Sequence, residues 1–368
     1  MNSKKAIFIF SIHYFRGISI LLIVMGHCYG IVGLESNIHL NFSGDYFSSF
    51  IQLLEKILGN LISGGTSLFV FISGLMFHHV FFAKFEYWQF LKKKIINVYL
   101  PYLFLSLPAI ISLGLVDLLR YDKTIFDTAI ALLRHILLGD FFFAYWYISF
   151  ILLVFIASPI FIYYISLPSQ YQSSILLATL CLSLIIHRPE LNLNPLHSLV
   201  YFLPIYLLGI YTSIYREKID HLLQGKAWLL LGWIVILAIT QSLLYDKIGS
   251  LHRSHLWGFA GLDISLLQKI GLCFFWLVYL KKFDDRPLIK PLDYLAKYSF
   301  SIFFLHDYLI LELSLIIDNL REIQRFIPQG LSIYVAIILG ALITLICGLF
   351  AHVVKKLSPR HSRILIGC

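Results

Sequence analysis

The apolar positions of this chain fall in long blocks, neither alternating nor in heptads. Ten blocks stand out, at residues 14–34, 62–83, 95–117, 146–166, 172–187, 197–215, 227–245, 260–280, 296–317 and 331–354. Each approaches the roughly 20 residues with which an α-helix crosses the ~30 Å hydrocarbon core of a bilayer. Only helices and closed barrels satisfy their backbone hydrogen bonds in lipid, and blocks of this length read as helices. The pattern predicts an all-α polytopic membrane protein with about ten transmembrane helices, one transmembrane domain occupying residues 1–368. Pro101, Pro108, Pro159 and Pro204 lie within or near the blocks and are expected to kink them. There is no internal repeat and no low-complexity tract.

Composition strengthens this picture. Of 368 residues, 59% are hydrophobic and 13% charged, with mean hydropathy +0.82. A soluble domain is nearer 45–50% apolar and about 25% charged. With ten spans both termini share one side, and 19 of the 29 Lys and Arg fall on that side. By the positive-inside rule the termini are expected in the cytoplasm. The net charge of +9 then reflects topology and attraction to anionic lipid, so membrane lipids are expected partners. Nucleic acid is not, because the basic residues are spread over short loops rather than along one stripe. The five cysteines have neither zinc nor disulfide-framework spacing, and no metal is expected. No cleavable signal peptide is expected at the N-terminus. The sequon Asn41-Phe42-Ser43 is uninformative without the host.

Ionisable residues inside spans are expensive, so each is a functional candidate. In the first block Arg16 and His27 are eleven residues apart, three helical turns plus about 20°, which puts both on one face about 16 Å apart. Arg16 would sit near the cytoplasmic surface and His27 about halfway across. An arginine suits phosphate, and a histidine suits a general base, so the pair matches the two ends of a coenzyme A thioester. The alternative is an arginine that snorkels to headgroups and a histidine bonded to a neighbouring helix. His306 and Asp307 in the ninth block lie at about the depth of His27 and are candidates for a proton-handling site or for a structural hydrogen-bonded pair. Glu312, six residues on, is a candidate for the same cavity. Lys92, Lys93 and Lys94, just before the third block, are either a topology signal or a site for cofactor phosphates. His78 and His79 read as interfacial. Trp146 opens the fourth block as an aromatic-belt residue or as a platform for a sugar ring.

Taken together, these residues resemble acyltransferase family 3, the ten-span membrane acyltransferases that modify surface and secreted glycans. Arg16 and His27 resemble its first-span signature of arginine, ten residues, then histidine. Phe69-Val-Phe-Ile-Ser73-Gly74, Lys94-Ile-Ile-Asn97-Val-Tyr-Leu-Pro101-Tyr102, Trp146-Tyr147, Phe202-Leu-Pro-Ile-Tyr-Leu-Leu-Gly209 and Tyr298-Ser299 through Leu305-His306 resemble five further motifs, in order, over roughly residues 11–350. Two positions depart. His13 stands where the family carries an acidic residue, and Asn97 stands where its basic motif has a second arginine. The chain resembles the standalone type, without an appended hydrolase-like domain.

The resemblance implies acetyl-CoA or another acyl-CoA as donor, taken from the cytoplasm, and a carbohydrate or lipid-linked glycan acceptor. It carries over His27 as catalytic residue, Arg16 as a cofactor or channel contact and His306 as an active-site partner; beside these, the expected site includes Asp307 with the histidines, Lys92–Lys94 as cofactor contacts, and Trp146 and Ser73 as substrate contacts. The expected activity is O-acyl transfer, foremost O-acetylation, in a bacterial inner membrane. Whether histidine acts as base or first takes the acyl group is open at this level. A secondary transporter with a mid-membrane His/Asp site is the alternative, although the paired interrupted spans of many transporters are missing. A lipid-binding structural protein would leave His27, His306 and Asp307 unexplained.

Overall fold

A computed structural model of the protein describes residues 3–36, 46–121, 123–245, 247–283, 289–319 and 332–368. The Asn41–Phe42–Ser43 sequon lies outside them. The described chain is almost wholly helical: α1 (Ser3–Ser36), α2 (Tyr46–Ile62), α3 (Gly65–Met76), α4 (Tyr87–Lys94), α5 (Leu100–Arg120), α6 (Ile125–Leu138), α7 (Trp146–Ile156), α8 (Ser158–Ser166), α9 (Ser169–Ile186), α10 (Pro195–Ile214), α11 (Arg216–Leu223), α12 (Ala227–Leu244), α13 (Ile264–Leu280), α14 (Lys290–Asn319), α15 (Ser332–Leu357) and α16 (Ser362–Ile366). Two dipeptides, β1 (Arg188–Pro189) and β2 (His252–Arg253), pair in parallel between loops.

Among the described residues, eight helical stretches are long and apolar enough to cross a membrane. A ninth arises if α7 and α8, bent by 52°, form one span. The bend falls where Pro159 opens α8, because proline supplies no N–H and ends the preceding helix. Each predicted block falls on helical chain, although 146–166 is broken into α7 and α8 and 62–83 runs from α3 into π- and 3-10-helical turns. The His306-bearing block is α14, which falls outside the apolar set although it runs for 30 residues. Its described part contains Lys297, Asp307 and Glu312. Pro108 and Pro204 sit inside continuous helices, whereas Pro101 falls in the first turn of α5, where a missing N–H costs little.

The core forms around α1, which packs along α14, α15 and α3. The second large interface joins α3 to α10. It depends on Gly74 and Gly209: a Cβ on Gly74 would run into the carbonyl of Tyr206, and one on Gly209 into the carbonyl of Phe71. Small residues allow such close helix approach where lipid supplies no hydrophobic drive. Both glycines close motifs singled out above, and their physical role is this contact.

Between α2 and α3 the chain breaks at Gly64, whose φ of 77° favours glycine. The break is bridged from α13. Lys269, a cation inside the block at 260–280, is buried and donates through Nζ to the Asn60 carbonyl at 2.7 Å. It thereby satisfies one of the orphan carbonyls at the end of α2.

Candidate active site

The end of the bundle carrying Lys92–Lys94 is called here the basic end, and the end where α7 begins the far end. Two cavities follow one another between them, along α1, α3 and α7. The one toward the basic end, 260 Å³, is lined by Arg16, Ser73, Lys94, Tyr147, Tyr206 and several phenylalanines. The far one, 210 Å³, is lined by His27, Gly65, Thr66, Trp146, Arg188 and His252 among others. On α1 the order is Arg16 and then His27, on α3 Ser73 and then Thr66, on α7 Tyr147 and then Trp146. The sequence spacing had placed Arg16 and His27 on one face of one helix, and the two cavities open on that face.

His27 meets His306 laterally. Its Nδ1 lies 2.9 Å from His306 Nε2. His306 Nδ1 lies 3.1 Å from the Ile302 carbonyl, an acceptor only, so this nitrogen carries the proton. In neutral rings the rest follows. His306 Nε2 is then the acceptor, His27 Nδ1 the donor, and His27 Nε2 holds a bare lone pair. Asp307 sits behind both rings, with Oδ1 3.7 Å from His27 Nδ1 and 3.4 Å from His306 Nε2. Its Oδ2 accepts the Ala144 N–H at 2.6 Å, which ties the start of α7 to α14. His27 keeps 17% side-chain exposure, against 0% for His306 and 2% for Asp307, so His27 is the member a ligand can reach. The ligand-type atoms of these three residues lie within 4.8 Å of one another, the only such group among the described residues that would fit a metal ion. Glu312 is exposed and joins neither cavity.

Toward the basic end, Arg16 donates through Nε to Ser299 Oγ at 3.0 Å and through Nη2 to the Ala296 carbonyl at 2.6 Å. These bonds hold the guanidinium in the cavity wall and explain the Tyr298-Ser299 motif on α14. Lys94 Nζ stands 4.7–5.3 Å from the ring centres of Phe81, Phe90 and Phe155, cation–π contacts that replace part of its hydration. π-helical turns at Phe77–Phe81 and Ile95–Tyr99 shape this mouth. Lys92 and Lys93 are exposed and outside the cavity wall. Ser73 lines this cavity and not the one beside Trp146.

Three residues escaped the sequence reading. Arg363, counted as a topology charge, comes beside Lys94 because α16 folds back against the Ile95–Tyr99 turn and α5. It brings a second positive charge to the turn where Asn97 departs from the basic motif. Asp293 pairs with His13 at 2.9 Å, so an acidic group reaches the first-span position from α14 instead. Arg188, also counted as a loop charge, lies with Cζ 4.9 Å from the Trp146 ring and 5.5 Å from that of Phe202. Only the folded chain brings these partners together, and no local pattern announces them.

A family model described as an acyltransferase domain, that of acyltransferase family 3, matches residues 9–352, nearly the whole chain. The chain belongs to acyltransferase family 3. It is accordingly a membrane acyltransferase, and its apolar helices make it an integral membrane protein. No curated protein and no solved structure matches it. Within this family member, the match runs from before Arg16 to beyond α14, so both cavities and the histidine pair lie inside it.

Proposed function

We propose that this family 3 member is an O-acyltransferase, foremost an O-acetyltransferase, that moves an acyl group from cytoplasmic acyl-CoA to a hydroxyl of a cell-surface or exported carbohydrate, free or lipid-linked. Its place is a bacterial inner membrane. The observation that carries the reading is the pair of cavities in series, one cationic and aromatic, the other walled by a histidine with a free nitrogen.

The donor docks from the basic end. Its phosphates meet Arg363, Lys94 and the exposed Lys92 and Lys93, and its pantetheine arm passes Arg16 and Ser73. The acceptor hydroxyl lies in the far cavity over Trp146. His27 Nε2 takes the hydroxyl proton as the oxygen attacks the thioester carbonyl. The C–S bond breaks, and the imidazolium returns its proton to the departing CoA thiolate. Asp307 stabilises the transient imidazolium, and His306 fixes the tautomer that leaves Nε2 bare. General-base help of this kind contributes about 10²–10⁴-fold. The roles of His306 and Asp307 are therefore positioning and electrostatic, and His27 alone touches the reacting atoms.

The test is acetyl-CoA turnover by purified protein in nanodiscs, with glycan acceptors present. His27→Ala is expected to abolish CoA release with folding retained, and Arg16→Ala to weaken it. Chelation with EDTA is expected to leave turnover unchanged, because His306 and Asp307 serve to orient and charge-stabilise His27 rather than to hold a metal. Wild-type turnover by His27→Ala, or loss on chelation that zinc restores, would sink the assignment.

A further inference from the structure

Among the described residues, the far cavity has one fixed cation in its wall and no carboxylate. Arg188 supplies the cation. His252, the other basic group there besides His27, is pushed down to about 3 by burial and by Arg188 beside it, so it is neutral at neutral pH. Among the described residues, a carboxylate that acts on Arg188, that of Asp263, stands behind the wall. Its Oδ2 accepts from Tyr201 at 2.8 Å and its Oδ1 from the Leu266 N–H at 3.1 Å. A guanidinium carries five N–H donors, which is enough to serve a neighbour behind the wall and a ligand in front of it.

Arg188 is also held firmly. Its backbone N–H donates to the Leu251 carbonyl at 3.0 Å, and β1 pairs it with His252. The preceding residue, His187, has φ 63° and ψ 173°, a backbone region that favours glycine. Two hydrogen bonds lock His187: its carbonyl accepts from His197 Nε2 at 3.1 Å, and its own Nε2 accepts the Ala260 N–H at 3.1 Å. The guanidinium carbon stands over the ring of Trp146, which itself stacks on Phe202 with centroids 5.9 Å apart. The start of α3, Gly65 and Thr66, opens on the same cavity and adds the partial positive charge of a helix N-terminus. At 210 Å³ the space is below the roughly 300–1,000 Å³ of ordinary ligand pockets, which suits one sugar ring rather than several.

We infer that the acceptor is an anionic sugar, whose carboxylate or phosphate is gripped by Arg188 while its hydroxyl faces His27. This rests on the far cavity being the acceptor side. A planar guanidinium fork binds both kinds of anion bidentately, and away from bulk water the attraction is strong. Neutral hexoses lack the group that would use it.

Binding is read without acyl-CoA, as the shift in thermal unfolding midpoint of the full chain in nanodiscs. The probes are glucuronate, glucose 1-phosphate and glucose at equal concentration and ionic strength. Wild type is expected to be stabilised by one or both anionic sugars and not by glucose; which of the two acts tells carboxylate from phosphate. Arg188→Gln is expected to lose that response, with apparent affinity down about tenfold or more. Arg188→Lys keeps the charge without the fork, so it retains a weakened preference and serves if Arg188→Gln does not fold. No donor is present in this readout, so failure of this inference and failure of the transfer chemistry are told apart. Equal stabilisation by glucose, no response to any probe, or an anion preference unchanged in Arg188→Gln would overturn it.

Discussion

At the scale of residues, the site is a chain of three acceptors and donors with one end fixed. The Ile302 carbonyl dictates the His306 tautomer, His306 dictates that of His27, and the free lone pair results. Asp307 contributes charge rather than a proton. Asp307→Asn keeps an oxygen for the Ala144 N–H and removes the charge next to the imidazolium. It is expected to lower kcat by about 10²-fold or more while leaving KM for acetyl-CoA near wild type. A steady-state assay checks this, and an unchanged kcat would contradict the role. Arg363→Ala is expected to do the reverse, raising KM for acetyl-CoA several-fold, on the order of one charge-assisted hydrogen bond, with kcat held. The depth match of His27 and His306 was legible in the sequence, because rise per residue fixes depth along a helix. Their lateral contact was not, since it depends on how α1 and α14 pack. Arg188, Arg363 and Lys269 could not be singled out for the same reason: a lone cation near a span end looks like a topology signal wherever the fold then takes it.

At the scale of elements, two interruptions create the cavities. The π-helical turns at the basic end bring Phe81 and Lys94 together, and the Gly64 break exposes the start of α3 at the far end. Asn60 holds that break to the far loops. Its Nδ2 donates to Ser242 Oγ at 2.9 Å, its Oδ1 accepts the Gly249 N–H at 2.7 Å, and its carbonyl takes Lys269. Asn60→Ala leaves the buried Gly249 N–H without its acceptor and is expected to cost about 1–3 kcal/mol. The midpoint of unfolding in detergent measures this, and an unchanged midpoint would show that the network carries no stability. The sequence made the helices themselves legible, because ten apolar blocks admit little else. It did not reveal α6, an amphipathic 14-residue helix outside the blocks, nor the β1–β2 pairing, which joins loops 64 residues apart.

At the scale of the whole molecule, the account is one of sidedness. Basic groups gather at one end, around the cavity of Arg16 and Lys94, and the histidine cavity opens toward the other. On the proposed reading, with both termini on the cytoplasmic side as charge bias predicts, acyl-CoA enters from the basic end. The most direct measurement is CoA release in proteoliposomes of uniform orientation, with membrane-impermeant acetyl-CoA supplied to one face at a time and glycan acceptors on both. Release is expected when acetyl-CoA is offered at the Lys92–Lys94 face, to be absent when it is offered at the Trp146 face, and to vanish in His27→Ala. Equal release from both faces, or release from the Trp146 face alone, would contradict a donor path that runs from Arg16 to His27.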